Sequence, residues 1–200
     1  MKSTLRNMIL SLGGISLGVA ALLGAVHSLT ETPIAEASAR AAREAVAAVL
    51  PPFDNNPMAD PAEAGGCEIY PATMAGKPVG AAVRVTSREG FSGDIEIMAG
   101  FDTAGTLTGY TVLSQAETPG LGAKADEWFR TAPHSVIGSS GPLRVTKDGG
   151  EVDAITAATI TSRAFTGALN TARAAYDSYR GHNTDTPDGT TSASKQHREQ

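Results

Sequence analysis

Near the start of the chain, 24 consecutive residues, Asn7 to Thr30, carry no formal charge. Wound as a helix at ~1.5 Å per residue they reach about 36 Å, enough to cross a hydrocarbon core of roughly 30 Å. A cleaved signal peptide is the plainer alternative. Its apolar core normally spans about 7–15 residues and ends at a small-x-small site, whereas this run is longer and Ala25-Val26-His27 is a poor cleavage signal. An uncleaved transmembrane anchor over residues 1–30 is therefore expected. Lys2 and Arg6 precede the segment, and removing them leaves 14 basic against 21 acidic side chains beyond it, a balance of −7. The positive-inside rule then places the N-terminus in the cytoplasm and the rest of the chain outside.

The overall charge of −5 argues against nucleic acid as a partner, since phosphate binding requires a basic surface. Cys67 is the one cysteine, so no internal disulfide can close and no iron–sulfur or c-type haem site can be built from thiols. His27, His134, His182 and His197 show no metal-ligand spacing. A redox role for such a chain would require an organic cofactor.

After the anchor, Thr32-Pro33 reads as a helix start, with Thr32 as N-cap and Pro33 at the first helical position. Alanine-rich sequence runs on to Leu50, where Pro51-Pro52 stops it, so residues 31–52 are expected to form a stalk helix. Residues 53–66 read as an irregular connection. Four segments then alternate between turn signals: Cys67 to Tyr70, Val79 to Thr86, Asp94 to Phe101 and Thr106 to Leu113. Short turns between consecutive strands imply an antiparallel meander. Helical composition returns at Lys124 to Arg130 and, with Phe165, Leu169, Ala172 and Tyr176 on one stripe, at Ser162 to Arg180. The expected fold class is α+β: one N-terminal transmembrane helix, then a domain over 53–180 with an antiparallel sheet and flanking helices. Residues 181–200 read as a disordered polar tail.

Two small-residue loops interrupt this pattern. Glu117-Thr118-Pro119-Gly120-Leu121-Gly122 follows the fourth strand, and its Pro-Gly pair is a turn signal. Leu121, apolar between two glycines, could cover a flat ring. Asp153-Ala154-Ile155-Thr156-Ala157-Ala158-Thr159-Ile160-Thr161-Ser162 precedes the long helix. It reads either as an N-cap supplied by Thr161 or Ser162, or as a phosphate site at a helix N-terminus with Thr159 within one turn of the start.

Residues 153–159 resemble the Dxx[S/T]-Gly-Ala-Thr signature of FMN-binding domains, and residues 117–122 are similar to that family's second block, which lines the flavin. The anchor, the Thr-Pro-Ile-Ala at 32–35 and the Val-Leu-Pro at 49–51 resemble the N-terminus of the G-type subunits of Rnf complexes. The resemblance covers residues 1 to about 180. It implies FMN carried on Thr159 through a phosphodiester, with FAD as donor and a flavin transferase acting at Asp153 and Thr156. Ala158 belongs to the same block, and Glu117, Thr118, Leu121 and Gly122 would line the isoalloxazine. It further implies an electron-relay subunit in a bacterial inner-membrane complex. That complex couples ferredoxin–NAD electron transfer to ion translocation, with its other membrane subunits as partners. The alternatives are the equivalent C-type subunit of the sodium-pumping NADH:quinone reductase and a cofactor-free membrane-anchored assembly module. Two positions depart from the pattern. Ala157 stands where the family has glycine, which matters if that backbone needs φ > 0, and Gln115 stands where a histidine is common.

Overall fold

The computed structural model describes residues 2–184 and divides into two compact units, the first ending at Glu44 and the second starting at Ala45. Helix α1, Lys2–Val49, contains the one stretch among the described residues that is long and apolar enough to cross a membrane. Its large apolar side chains from Met8 to Leu29 are all more than half exposed, as suits a surface whose solvent is lipid.

The stalk does not begin afresh at Thr32. α1 runs through Pro33 without interruption, so Thr32 is a mid-helix residue and caps nothing. Proline in a helix interior removes one N–H and leaves the carbonyl four residues earlier without its donor. Alanine-rich sequence follows on the C-terminal side of Pro33. One turn earlier, Thr30 donates its hydroxyl to the Val26 and His27 carbonyls at 2.9 and 3.2 Å. The carbonyl that Pro33 leaves without its donor is that of Leu29, so these two bonds do not replace the one lost.

The second unit is built on one antiparallel meander, in spatial order β1-β2-β3-β4-β5. The strands are β1 Ala62–Ala64, β2 Cys67–Met74, β3 Lys77–Ser87, β4 Ile95–Asp102 and β5 Leu107–Gln115. β1 falls in the stretch expected to be irregular. Gly65-Gly66, with φ +56° and +74°, closes a two-residue hairpin that pairs Ala64 with Cys67. Only glycine adopts two such angles in succession without cost.

Alternation along the strands buries both faces. Ile69, Val83, Ile97 and Phe101 meet α3, Thr159–Thr184, through Phe165, Leu169, Ala172 and Tyr176. Tyr70, Ala72, Ala82 and Met98 face Ala45, Val46 and Val49 at the end of α1. That helix end sits on a glycine notch, where Gly100 and Gly109 pair across β4 and β5. A Cβ at Gly100 would run into the Val49 carbonyl, and the Thr108 hydroxyl donates to that same carbonyl.

α3 starts at Thr159, three residues before the expected Ser162, and continues to Thr184. The expected tail therefore lies outside the described residues except for 181–184, which are helical. Phe165 of α3 stacks on Phe129 (4.8 Å between centroids) and meets the edge of Tyr110 (5.0 Å). Phe129 closes the short helix α2, Ala125–Trp128. This aromatic trio brings the start of α3 against the loop that leaves β5.

Candidate functional site

Beyond β5 the chain turns at Pro119-Gly120, where the Leu121 N–H donates to the Thr118 carbonyl (3.1 Å) and Gly120 has φ +79°. A positive φ after proline is the type II arrangement, which requires glycine there. Glu117, at the head of this turn, is 5% exposed. Its Oε1 accepts from the Ser92 N–H at 3.0 Å and its Oε2 from the Thr161 hydroxyl at 2.6 Å. A buried carboxylate persists when such donors replace water. Gly122 is needed for space, since a Cβ there would stand 2.6 Å from both Glu117 Oε2 and Thr161 Oγ1.

The second loop reaches α3 through a turn in which the Ala158 N–H donates to the Ile155 carbonyl (3.0 Å). Neither Thr161 nor Ser162 caps the helix. Both lie inside its first turn, where Ser162 Oγ accepts from the Ile155 N–H (3.0 Å) and donates to the Ala158 carbonyl (2.9 Å). Ala157 sits in this turn at φ +63°. The left-handed region costs an L-residue about 1 kcal/mol relative to glycine, so glycine is the residue this backbone favours. Ala157→Gly is expected to stabilise the domain by about 1 kcal/mol and to raise its thermal midpoint by roughly 3 °C. A midpoint at or below that of the parent protein in a thermal melt contradicts this.

Thr159 is the first residue of α3 and half-buried. Lys147 Nζ donates to Thr159 Oγ1 at 3.0 Å. The lysine rides on a single 3-10 turn, Thr146–Asp148, closed by a parallel bridge between Val145 and Val152. Asp148 grips Arg163 of α3 with two bonds, Nε to Oδ2 at 2.8 Å and Nη2 to Oδ1 at 2.6 Å. The hydrogen bonds from Arg163, above all, hold the Asp148 carboxyl below its ordinary range.

These loops enclose a cleft of about 330 Å³ lined by Glu117, Thr118, Leu121 and Gly122 on one side and by Ala157, Ala158 and Thr159 on the other. Phe91, Ile160 and Thr161 complete it. Phe91, Leu121 and Ile160 are 66%, 40% and 50% exposed, which concentrates uncovered apolar surface at this one place. A second cavity of about 360 Å³ lies behind Glu117, Gly122 and Thr161, which form the wall between the two.

The sequence reading placed Glu117, Thr118, Leu121, Gly122, Ala158 and Thr159 at one site, and the fold brings them together. Asp153 and Thr156 do not line the cleft. Asp153 Oδ2 lies 3.3 Å from His134 Nδ1, a charge pair only when the imidazole is protonated, and its backbone carbonyl accepts from Trp128 Nε1 at 2.9 Å. Trp128 and His134 stack at 4.1 Å beside it. Thr156 is exposed on the turn before Ala157. Lys147, Phe91 and Ile160 escaped the sequence reading. A phenylalanine between Gly90 and Gly93 was the available signal for one of them, while a lysine in a polar turn carries none.

The arrangement offers a hydroxyl at a helix N-terminus, a cation on that hydroxyl and an apolar slot beside it. The family model for the FMN-binding domain matches residues 90–174, a span that contains both loops and Lys147. In Cereibacter sphaeroides, the G subunit of the ion-translocating oxidoreductase complex is 34% identical over 184 residues, covering 86% of this chain and 84% of its own. The proteins of the same description from Yersinia pestis and Escherichia coli are 32% and 33% identical, covering 86% of this chain and 90% and 91% of theirs. Identity at this level over nearly the whole of each sequence, on a fold whose cleft lies within the FMN-binding match, means that the chain belongs to the G-subunit family of ion-translocating oxidoreductase complexes.

Proposed function

We propose that the cleft holds FMN joined through a phosphodiester to Thr159, and that the chain is a membrane-anchored electron relay. The observation that carries this reading is the position of the Thr159 hydroxyl. It stands on the first residue of a 26-residue helix and lines the cleft between the two loops. The residues fit the group. Phe91, Leu121 and Ile160 offer flat and aliphatic surface to a planar ring, and the buried Glu117 fastens the walls on which they stand. The bare Cα of Gly122 keeps the wall thin where a side chain would collide with it.

In the attachment Thr159 Oγ forms a bond to the phosphorus of the FMN half of FAD. The bond from that phosphorus to AMP breaks, AMP leaves, and the hydroxyl proton is released. A flavin transferase performs the step, with exposed Asp153 and Thr156 as its recognition residues. When bound, a flavin supplies one- and two-electron transfer. The protein's share is to hold the ring in the cleft and to keep it near its partners. α1 does the second as an anchor, raising the effective concentration for exchange with neighbouring subunits.

Residues 1–30 form the anchor with the N-terminus in the cytoplasm, 31–52 the stalk, and 53–180 the FMN-binding domain on the outer side of the inner membrane. The partners are the other membrane subunits of a complex that couples ferredoxin–NAD electron transfer to ion movement. The test is mass spectrometry of the peptide containing Thr159, from protein made together with a flavin transferase. A mass increment of FMN on Thr159 supports the reading. Unmodified Thr159, or the increment on another residue, overturns it.

A further inference from the structure

We infer that Lys147 is the counter-charge that positions the phosphoryl group at Thr159, first on the incoming dinucleotide and then as the phosphodiester. This rests on the attachment proposed above and adds to it the residue that determines where the phosphate sits.

The local charges separate cleanly. Arg163 is committed to Asp148 through two bonds, and Asp148 to Arg163. Glu117, the acidic residue of the cleft, is committed to the Ser92 N–H and the Thr161 hydroxyl. Lys147 instead points its ammonium at Thr159 Oγ1, 3.0 Å away. Ser162 is the first residue of α3 whose N–H finds an intrahelical acceptor, the Ala158 carbonyl. The N–H groups of Thr159, Ile160 and Thr161 precede it and add the positive end of the helix.

An ester on Oγ1 would place two non-bridging oxygens on the phosphorus, two covalent bonds beyond the atom the ammonium now touches. Lysine has three rotatable donors on a flexible stem, so it can pass from the hydroxyl oxygen to those oxygens without moving its backbone. The backbone is held in register by the Asp148–Arg163 pair, which fastens the Thr146–Asp148 turn to the same helix that carries Thr159. A charge-assisted bond to the transferred phosphoryl group is worth enough to change the loading rate by about tenfold or more.

The experiment uses the full chain in detergent, loaded in vitro with FAD and a flavin transferase. It compares the parent protein with Lys147→Gln, Lys147→Arg and, as a remote control, Lys77→Gln. Loading is read as in-gel flavin fluorescence against time and salt, and the phosphodiester by its 31P resonance. Lys147→Gln is expected to load about tenfold more slowly, to lose the salt dependence of the rate and to shift the 31P resonance. Lys147→Arg should restore most of the rate, and Lys77→Gln should match the parent. An unchanged thermal midpoint of unloaded Lys147→Gln separates this from misfolding. If Lys147→Gln loads at the parent rate with an unshifted resonance while the parent carries FMN on Thr159, the role of Lys147 is overturned and the attachment stands. A parent protein with no FMN on Thr159 overturns both.

Discussion

Thr159→Ala is expected to abolish covalent flavin completely, leaving no fluorescent band on a denaturing gel and an unmodified peptide in the mass spectrum. The other hydroxyls nearby cannot replace it. Thr161 is buried and donates its hydroxyl hydrogen bond to Glu117 at 2.6 Å, Ser162 is folded back on the Ala158 carbonyl, and Thr156 lies outside the cleft. Thr118 lines the cleft but sits on the opposite wall, in the turn after β5. The fold should hardly notice the change. Thr159 is half-buried and makes its one side-chain bond to an exposed lysine, so stability should stay within about 0.5 kcal/mol of the parent. Thr159→Ser keeps the hydroxyl and should still be labelled. A fluorescent band that survives in Thr159→Ala would show that the flavin is held elsewhere.

Gly100→Ala is expected to be strongly destabilising, costing on the order of 3 kcal/mol. The added carbon would run into the Val49 carbonyl and lie 2.8 Å from Thr108 Oγ1. Both neighbours are rigid, the first being backbone at the end of α1 and the second the hydroxyl that satisfies it. The helix end would have to lift, uncovering Val46 and Val49, which are 1% and 2% exposed. A loss of that size should lower the thermal midpoint by roughly 10 °C. Gly109→Ala should cost less, because its Cβ would first meet Val49 Cα at 3.3 Å. Equal midpoints for Gly100→Ala and the parent would mean that the notch is not a constraint.

Much of this architecture could be read before the fold was known, for identifiable reasons. The strands showed through partial alternation between turn signals, while their two apolar faces, Ile69, Val83 and Ile97 on one and Tyr70, Ala82 and Met98 on the other, came only with the fold. Both small-residue loops announced themselves through the Pro-Gly pair and the run of hydroxyls. What stayed hidden depends on distance along the chain. Lys147 meets Thr159 across 12 residues and Glu117 meets Thr161 across 44, and no local pattern encodes either meeting. β1 was missed because Ala-Glu-Ala is short and a weak strand former, although Gly65-Gly66 beside it signals a hairpin. Pro33 misled in the other direction. The rule that proline opens helices is a tendency, and α1 runs through Pro33 from an apolar segment into alanine-rich sequence. The alanine at 157 stood out in the sequence as a departure from the motif, and the backbone supplies the reason it matters, a φ of +63°.

The carboxylate of Glu117 fastens three stretches of chain: its own loop, the β3–β4 connection through Ser92 and the start of α3 through Thr161. Releasing any one of them strands a buried charge without its partner, which penalises partial opening of the cleft more heavily than opening of an ordinary surface loop. The cleft is therefore tied by one buried side chain to three separate stretches of the domain. For a subunit of an electron-transport complex, walls tied together in this way would keep the distance and dielectric around a bound redox group constant from one turnover to the next.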